Sequence, residues 1–167
     1  MKKLRRINNE GFSLVELIIV IAIMAILAAA LAPQLIKYIN NSRKSTDVQS
    51  GQSIATAVSV ALTDEAAYSD ATSGIAAGGS ATFWISDGYV ATPDTFEAKV
   101  KEIIGAAQPT PKYRGNGTND YDDFAIVINK SSSNNVSFAI YPAYRVASYT
   151  PVDADMVYPS VGTNYAD

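Results

Sequence analysis

The sequence predicts an α+β protein in which one long N-terminal helix packs against a small antiparallel β-sheet head. Three observations carry that expectation. Residues Leu17 to Ala32 are apolar without a break. A second apolar stripe, Ile54, Val58 and Leu62 with Ala57 and Ala61 beside it, recurs at helical spacing further along. Two β-rich stretches, DFAIVINK at 123–130 and NVSFAIYPA at 135–143, are separated by a short polar turn, SSSN at 131–134.

The first helix is read from its apolar content and length. As a helix, residues 14–32 reach about 28 Å, close to the ~30 Å hydrocarbon core of a bilayer. Ahead of them stand Lys2, Lys3, Arg5 and Arg6 against one acid, Glu10. This basic cluster stays cytoplasmic and sends the C-terminal part of the chain outward. A cleavable secretory signal fits less well. The apolar stretch is too long for a signal core, and Glu16 stands just before it. Pro33 removes one helical hydrogen bond and crowds the preceding turn, marking a kink or a place to melt. The apolar positions Leu35, Ile36 and Ile39 continue the helix beyond it. If the helix runs from Ser13 to Leu62 it is about 75 Å long. Its polar stretch, NNSRKSTDVQSGQS, contains Gly51 and is expected to be its weakest and most exposed part.

The other elements come in chain order. Residues 63–82 are small and polar with two adjacent glycines, and read as a loop. FWIS at 83–86 and YVA at 89–91 flank Asp87-Gly88, a hairpin signal. A second helix is expected within 93–107. Asp94 or Thr95 caps it, Phe96, Val100, Ile103 and Ile104 form its buried face, and Gly105 and Pro109 end it. The two strands come next, and residues 143–149 extend the sheet. In the tail, Met156, Val157 and Tyr158 pack back. Of the pair Phe83 and Trp84, one is expected in the core and the other at the rim.

Charge and composition narrow the function. After residue 11 the chain holds 9 basic and 15 acidic residues, which argues against nucleic acid as a direct partner. No Cys and no His are present, so thiol chemistry, disulfides and His-based catalysis or metal binding are excluded. Asp120, Asp122 and Asp123 form one acidic group and Asp153 and Asp155 another; oxygen ligands of this kind can hold Ca²⁺. No EF-hand loop is present, and a solvated acidic surface is the preferred reading. No cofactor is expected, and nothing indicates a substrate cleft. Of ten tyrosines, seven lie from Tyr113 onward. Tyr141, Tyr144, Tyr149 and Tyr158 fall near the sheet and tail, either as ordinary strand residues or as adhesive contacts.

Glu16 is the anomaly. A carboxylate beside a membrane-length apolar helix is costly unless something neutralises it. The stretch Gly11-Phe12-Ser13-Leu14-Val15-Glu16, with a basic leader before it and an apolar run and Pro33 after it, resembles the processing site of type IV pilins and pseudopilins. The resemblance covers residues 1 to about 45. It implies that a prepilin peptidase cuts between Gly11 and Phe12 and methylates the Phe12 amine. It also implies a pilin-like organisation: a leader at 1–11, a transmembrane and filament-core helix at 12–35, an amphipathic helix half at 36–62 and a globular head at 63–167. The implied partners are other copies in a helical homopolymer, the prepilin peptidase, the membrane assembly machinery and minor pilins. The implied course is a single-pass precursor with its head outside, then a surface filament serving adhesion, motility or aggregation. The alternative within the same resemblance is a pseudopilin of a type II secretion or DNA-uptake machine. After cleavage the Phe12 amine, of reference pKa about 8, is mostly protonated. Glu16 lies one helical turn on, and can pair with that amine in a neighbouring subunit.

Overall fold

The computed structural model describes residues 11–86, 95–105, 108–114, 120–144 and 150–166, which divide after Ile39 into two units. The helix α1 runs over Leu14–Ala61, with Pro33 inside it. In the first unit it packs against nothing else among the described residues, and its large apolar side chains from Leu14 to Ile39 are exposed.

The second unit, from Asn40 onward, is the head. Here α1 buries Asp47, Gly51, Ile54, Val58 and Ala61, a stripe spaced by alternating fours and threes that marks one helix face. The stripe starts two turns earlier than the apolar residues alone indicate. The polar stretch expected to be most exposed is thus pinned at two points. Gly51 is there for contact: a Cβ at this position would stand 2.5 Å from Val157 Cγ2.

Helix α2, Glu65–Ser73, corrects the expected loop at 63–82. Asp64 supplies its N-cap by accepting the amides of Ala66 and Ala67 through Oδ1 at 3.0 and 3.2 Å. Its alanines let it lie close to the core, where Ala67 and Ala71 are buried. Strand β1 is Ser80–Trp84, earlier than expected. The turn and second arm of the hairpin proposed around Asp87-Gly88 lie outside the described residues.

Helix α3 is Thr95–Ile104, and Gly105 terminates it with φ +88°, a conformation glycine tolerates. Phe96 and Val100 are buried as expected, whereas Ile103 is exposed. Asp94 lies outside the described residues. An observed cap comes from another helix: Asp70 Oδ2 accepts the Phe96 amide at 3.1 Å. Phe96 packs edge-on against Phe83, with centroids 4.9 Å apart.

Strands β2, Asp123–Lys130, and β3, Val136–Ala143, form the expected antiparallel pair, and β1 adds to β2 to give the order β1-β2-β3. Asn134, with φ 60°, turns the β2–β3 connection, where its amide donates to the Ser131 carbonyl. In the register Phe83, Ile126 and Ile140 stand opposite one another, as do Trp84, Ala125 and Tyr141. The first set faces the main core with Ile54 and Val58 of α1. The second faces the opposite side. Both Phe83 and Trp84 are therefore buried, one on each face, rather than one at the rim. This explains why β2 reads as a continuous apolar run instead of alternating.

The tail returns as expected. Ile140 exchanges backbone hydrogen bonds with Val157 and Tyr158, at 2.9 and 3.0 Å, closing part of the outer edge of β3. Tyr158 stacks on Phe138, and Met156 packs against Val127, Ala139 and Tyr141. The strand proposed for 143–149 falls mainly on residues outside those described; β3 ends at Ala143.

Candidate assembly site at the amino terminus

Ser13 and Glu16 are brought together by the start of α1. Glu16 Oε2 accepts the Ser13 amide at 3.0 Å, and Ser13 Oγ accepts the Val15 amide at 3.4 Å. The Ser13 carbonyl accepts the first helical bond, from Leu17 N at 3.2 Å. The sequence S-L-V-E thus forms a capping box, in which Ser and Glu satisfy amides that the helix leaves open. The carboxylate also lies in the first turn, where the helix dipole favours it. Glu16 therefore has work within its own chain.

Gly11 and Phe12 precede the cap. Phe12 is 87% exposed, and a Cβ at Gly11 would meet nothing within 4 Å. Packing among the described residues does not require glycine at position 11. The requirement, where there is one, comes from whatever handles the Gly11–Phe12 bond. Beyond Glu16 the helix carries the exposed apolar surface, and the most apolar eighteen-residue window contains no buried residue. Such a surface is covered by lipid or by other protein.

The acidic groups do not converge. Asp120 pairs with Arg114 at 2.9 Å. Asp123 is fully buried and accepts the amide and hydroxyl of Ser86 and the amide of Phe124. Asp155 accepts Asn164 Nδ2 at 2.7 Å, and Asp153 lies 3.5 Å from the Tyr141 hydroxyl. Asp122 is exposed. Among the described residues, no group of three acidic side chains is placed to hold a metal ion. Tyr141 is buried and so is not a surface contact, while Tyr144 is exposed and Tyr149 lies outside the described residues. Burial and the neighbouring Asp153 push the Tyr141 hydroxyl above its ordinary value.

Sequence reasoning missed one site in the head. Asp47, fully buried on α1, accepts the amides of Lys112 and Tyr113 at 2.6 and 2.8 Å and lies 3.4 Å from the Tyr165 hydroxyl. Burial raises its carboxyl above the ordinary value, against the opposing effect of these hydrogen bonds. Tyr113 and Tyr165 meet edge-on at 5.5 Å, and Lys44 Nζ lies 5.2 Å from the Tyr113 ring centre. The available signal was spacing: Asp47 stands four residues before Gly51 and seven before Ile54, on the buried stripe.

Comparison with known proteins bears on the N-terminal segment. Residues 6–32 match the family model described as the prokaryotic N-terminal methylation motif. Neither the curated proteins nor the solved structures include a significant match. The motif includes Gly11, Phe12, Glu16 and part of the exposed apolar segment of α1, and α and β elements follow it in the chain. The chain carries the class III signal of type IV pilins and pseudopilins at residues 6–32, at the start of a helix long and apolar enough to cross a membrane.

Proposed function

We propose that the protein is a structural subunit of a type IV pilus, whose work is assembly rather than catalysis. The observation that carries this reading is the apolar surface of α1, exposed among the described residues and headed by the methylation motif. In the precursor, lipid covers that surface and the head lies outside. A prepilin peptidase removes residues 1–11 and methylates Phe12. Membrane assembly machinery and minor pilins then pass the helix from lipid to a bundle of identical helices, with the heads outward on an extracellular filament.

Glu16 has two roles in this reading. In the monomer it closes the capping box with Ser13. In the filament its carboxylate also meets the Phe12 amine of a neighbour, so two charges that are costly in lipid become a pair. The test is Glu16→Ala, with sheared surface material and the membrane fraction compared for the mature form. Leader removal should persist, long fibres should vanish and processed monomer should accumulate. Normal fibre yield would remove the proposed intersubunit role of Glu16. Microscopy of cells carrying an internally tagged copy separates a pilus from a short secretion or DNA-uptake filament: long surface fibres are expected.

A further inference from the structure

A depression of about 450 Å³ lies between α1 and the loop at 110–114, lined by Ser42, Arg43, Thr46, Thr110, Lys112 and Arg114 among others. Arg43, Lys112 and Arg114 bring three positive charges to it, and among the described residues no acidic one lines it. Arg114 also pairs with the exposed Asp120, at 2.9 Å. Lys112 Nζ lies 3.4 Å from Thr110 Oγ1 within the same wall. The loop is held in place from behind, because Asp47 accepts the Lys112 and Tyr113 amides. Its carboxylate is thus engaged by backbone, and it also draws on the charge of Lys112.

The placement of charge along the chain adds a second observation. Of the nine basic residues after the leader, five are Lys37, Arg43, Lys44, Lys112 and Arg114. The head otherwise carries an excess of acid. Lys37, Arg43 and Lys44 therefore follow the apolar segment in sequence, and Lys112 and Arg114 join Arg43 at the depression. The first charge after Glu16 is Lys37, so residues 17–36 form an uncharged stretch of about 30 Å as a helix, a bilayer core thickness. Lys37 and the exposed Tyr38 are interface residues by chemistry. Ser42 is three residues beyond Ile39, so covalent reach alone keeps it within about 11 Å of the end of the apolar unit. The headgroup layer is of that order, about 5–8 Å deep on each side.

We propose that this depression binds the phosphate of an anionic phospholipid headgroup on the face of the membrane from which the head emerges. This rests on the reading of α1 as a membrane anchor, and not on filament formation. Phosphate suits the site: guanidinium groups of Arg43 and Arg114 can take its oxygens in bidentate fashion, with the Lys112 ammonium as a point charge. The head of a stored monomer is thereby held to anionic lipid.

The test uses the full chain, one copy per nanodisc, in phosphatidylcholine alone or mixed with phosphatidylglycerol. The readout is the rate at which an amine-reactive reagent labels Lys112, with Lys101 on α3 as the internal reference. Phosphatidylglycerol should slow labelling of Lys112 by about fivefold relative to Lys101, the factor expected for one basic residue at an anionic surface. High salt should reverse the slowing. The variant R43Q/R114Q, altered at two exposed positions, should insert normally and lose the effect. Equal labelling in both lipids overturns the proposal. So does protection that inorganic phosphate reproduces in phosphatidylcholine discs, which would make the site one for free phosphate. Protection that tracks the number of chains per disc instead of the lipid would assign the surface to a second copy, and would also overturn it. Recovery of the chain in the disc is scored separately, so failure of the anchor reading is distinguished from failure of the site.

Discussion

Asp47 Oδ1 accepts the Lys112 backbone amide at 2.6 Å, across 65 positions of sequence. With the Tyr113 amide on the other carboxylate oxygen, this bond ties the C-terminal half of α1 to residues 108–114, which are neither helix nor strand. Asp47→Ala should therefore destabilise the head. Two amides lose their acceptor, and each unsatisfied buried donor costs about 1–3 kcal/mol, so a loss of about 2–6 kcal/mol is expected. Denaturant midpoints of residues 40–167 measure it.

The same carboxylate sets a pH dependence. Burial raises the Asp47 carboxyl above its ordinary value of 3.8, so the folded state takes up the proton more readily than the unfolded one. The contribution of this residue is then most favourable below 3.8 and declines as pH rises through the folded value. Asp47→Asn removes the titration. The stability of wild type minus that of Asp47→Asn should fall as pH rises from acid to neutral. A difference that stays flat or rises would contradict the direction.

Gly51 meets Val157, and the two should be energetically coupled. A Cβ at position 51 stands 2.5 Å from Val157 Cγ2 and 3.2 Å from Val157 Cβ. Val157 is tethered to Ile140 through its amide. Gly51→Ala gains about 1 kcal/mol of helix propensity but overpacks at a cost of about 1–3 kcal/mol. A net loss of stability is expected. Val157→Ala makes room, so the double variant should be less destabilised than the sum of the single changes, as a double-mutant cycle would show.

Glu16→Gln separates the capping seen in the chain from the pairing proposed between subunits. Glutamine keeps the capping-box geometry, because its side-chain oxygen still accepts the Ser13 amide. It loses the charge that would pair with a neighbouring Phe12 amine. If pairing carries assembly, Glu16→Gln should fail to form fibres as fully as Glu16→Ala, at a penalty reaching about 3–5 kcal/mol per subunit. Fibre yield near that of wild type would assign Glu16 to capping alone.

Gly11→Val should leave the leader attached. Among the described residues there is room for a side chain at position 11, so the fold should be unaffected and the effect confined to processing. Mass spectrometry of wild-type fibres should find an N-terminus at Phe12 carrying one added methyl group. A fibre subunit beginning at Met1 would rule out cleavage after Gly11.

The sequence by itself determined the features that depend on local pattern. The motif around Gly11, Phe12 and Glu16, the apolar span, the pairing of β2 with β3 and the Gly105 helix stop are all written in neighbouring residues. Periodicity and turn chemistry act over a few positions, so they can be read without the fold. Helix α2 was also local, through its Asp64 cap, but its small and polar residues resemble a loop. Tertiary structure alone decided the partners of Asp47, Gly51, Asp70 and Asp123. Each is a polar or small residue whose meaning depends on what arrives from a distant part of the chain. Asp47 reads as a solvated helix residue until the 112–113 amides and Tyr165 close over it; only then does desolvation, balanced by hydrogen bonds, make it part of the core.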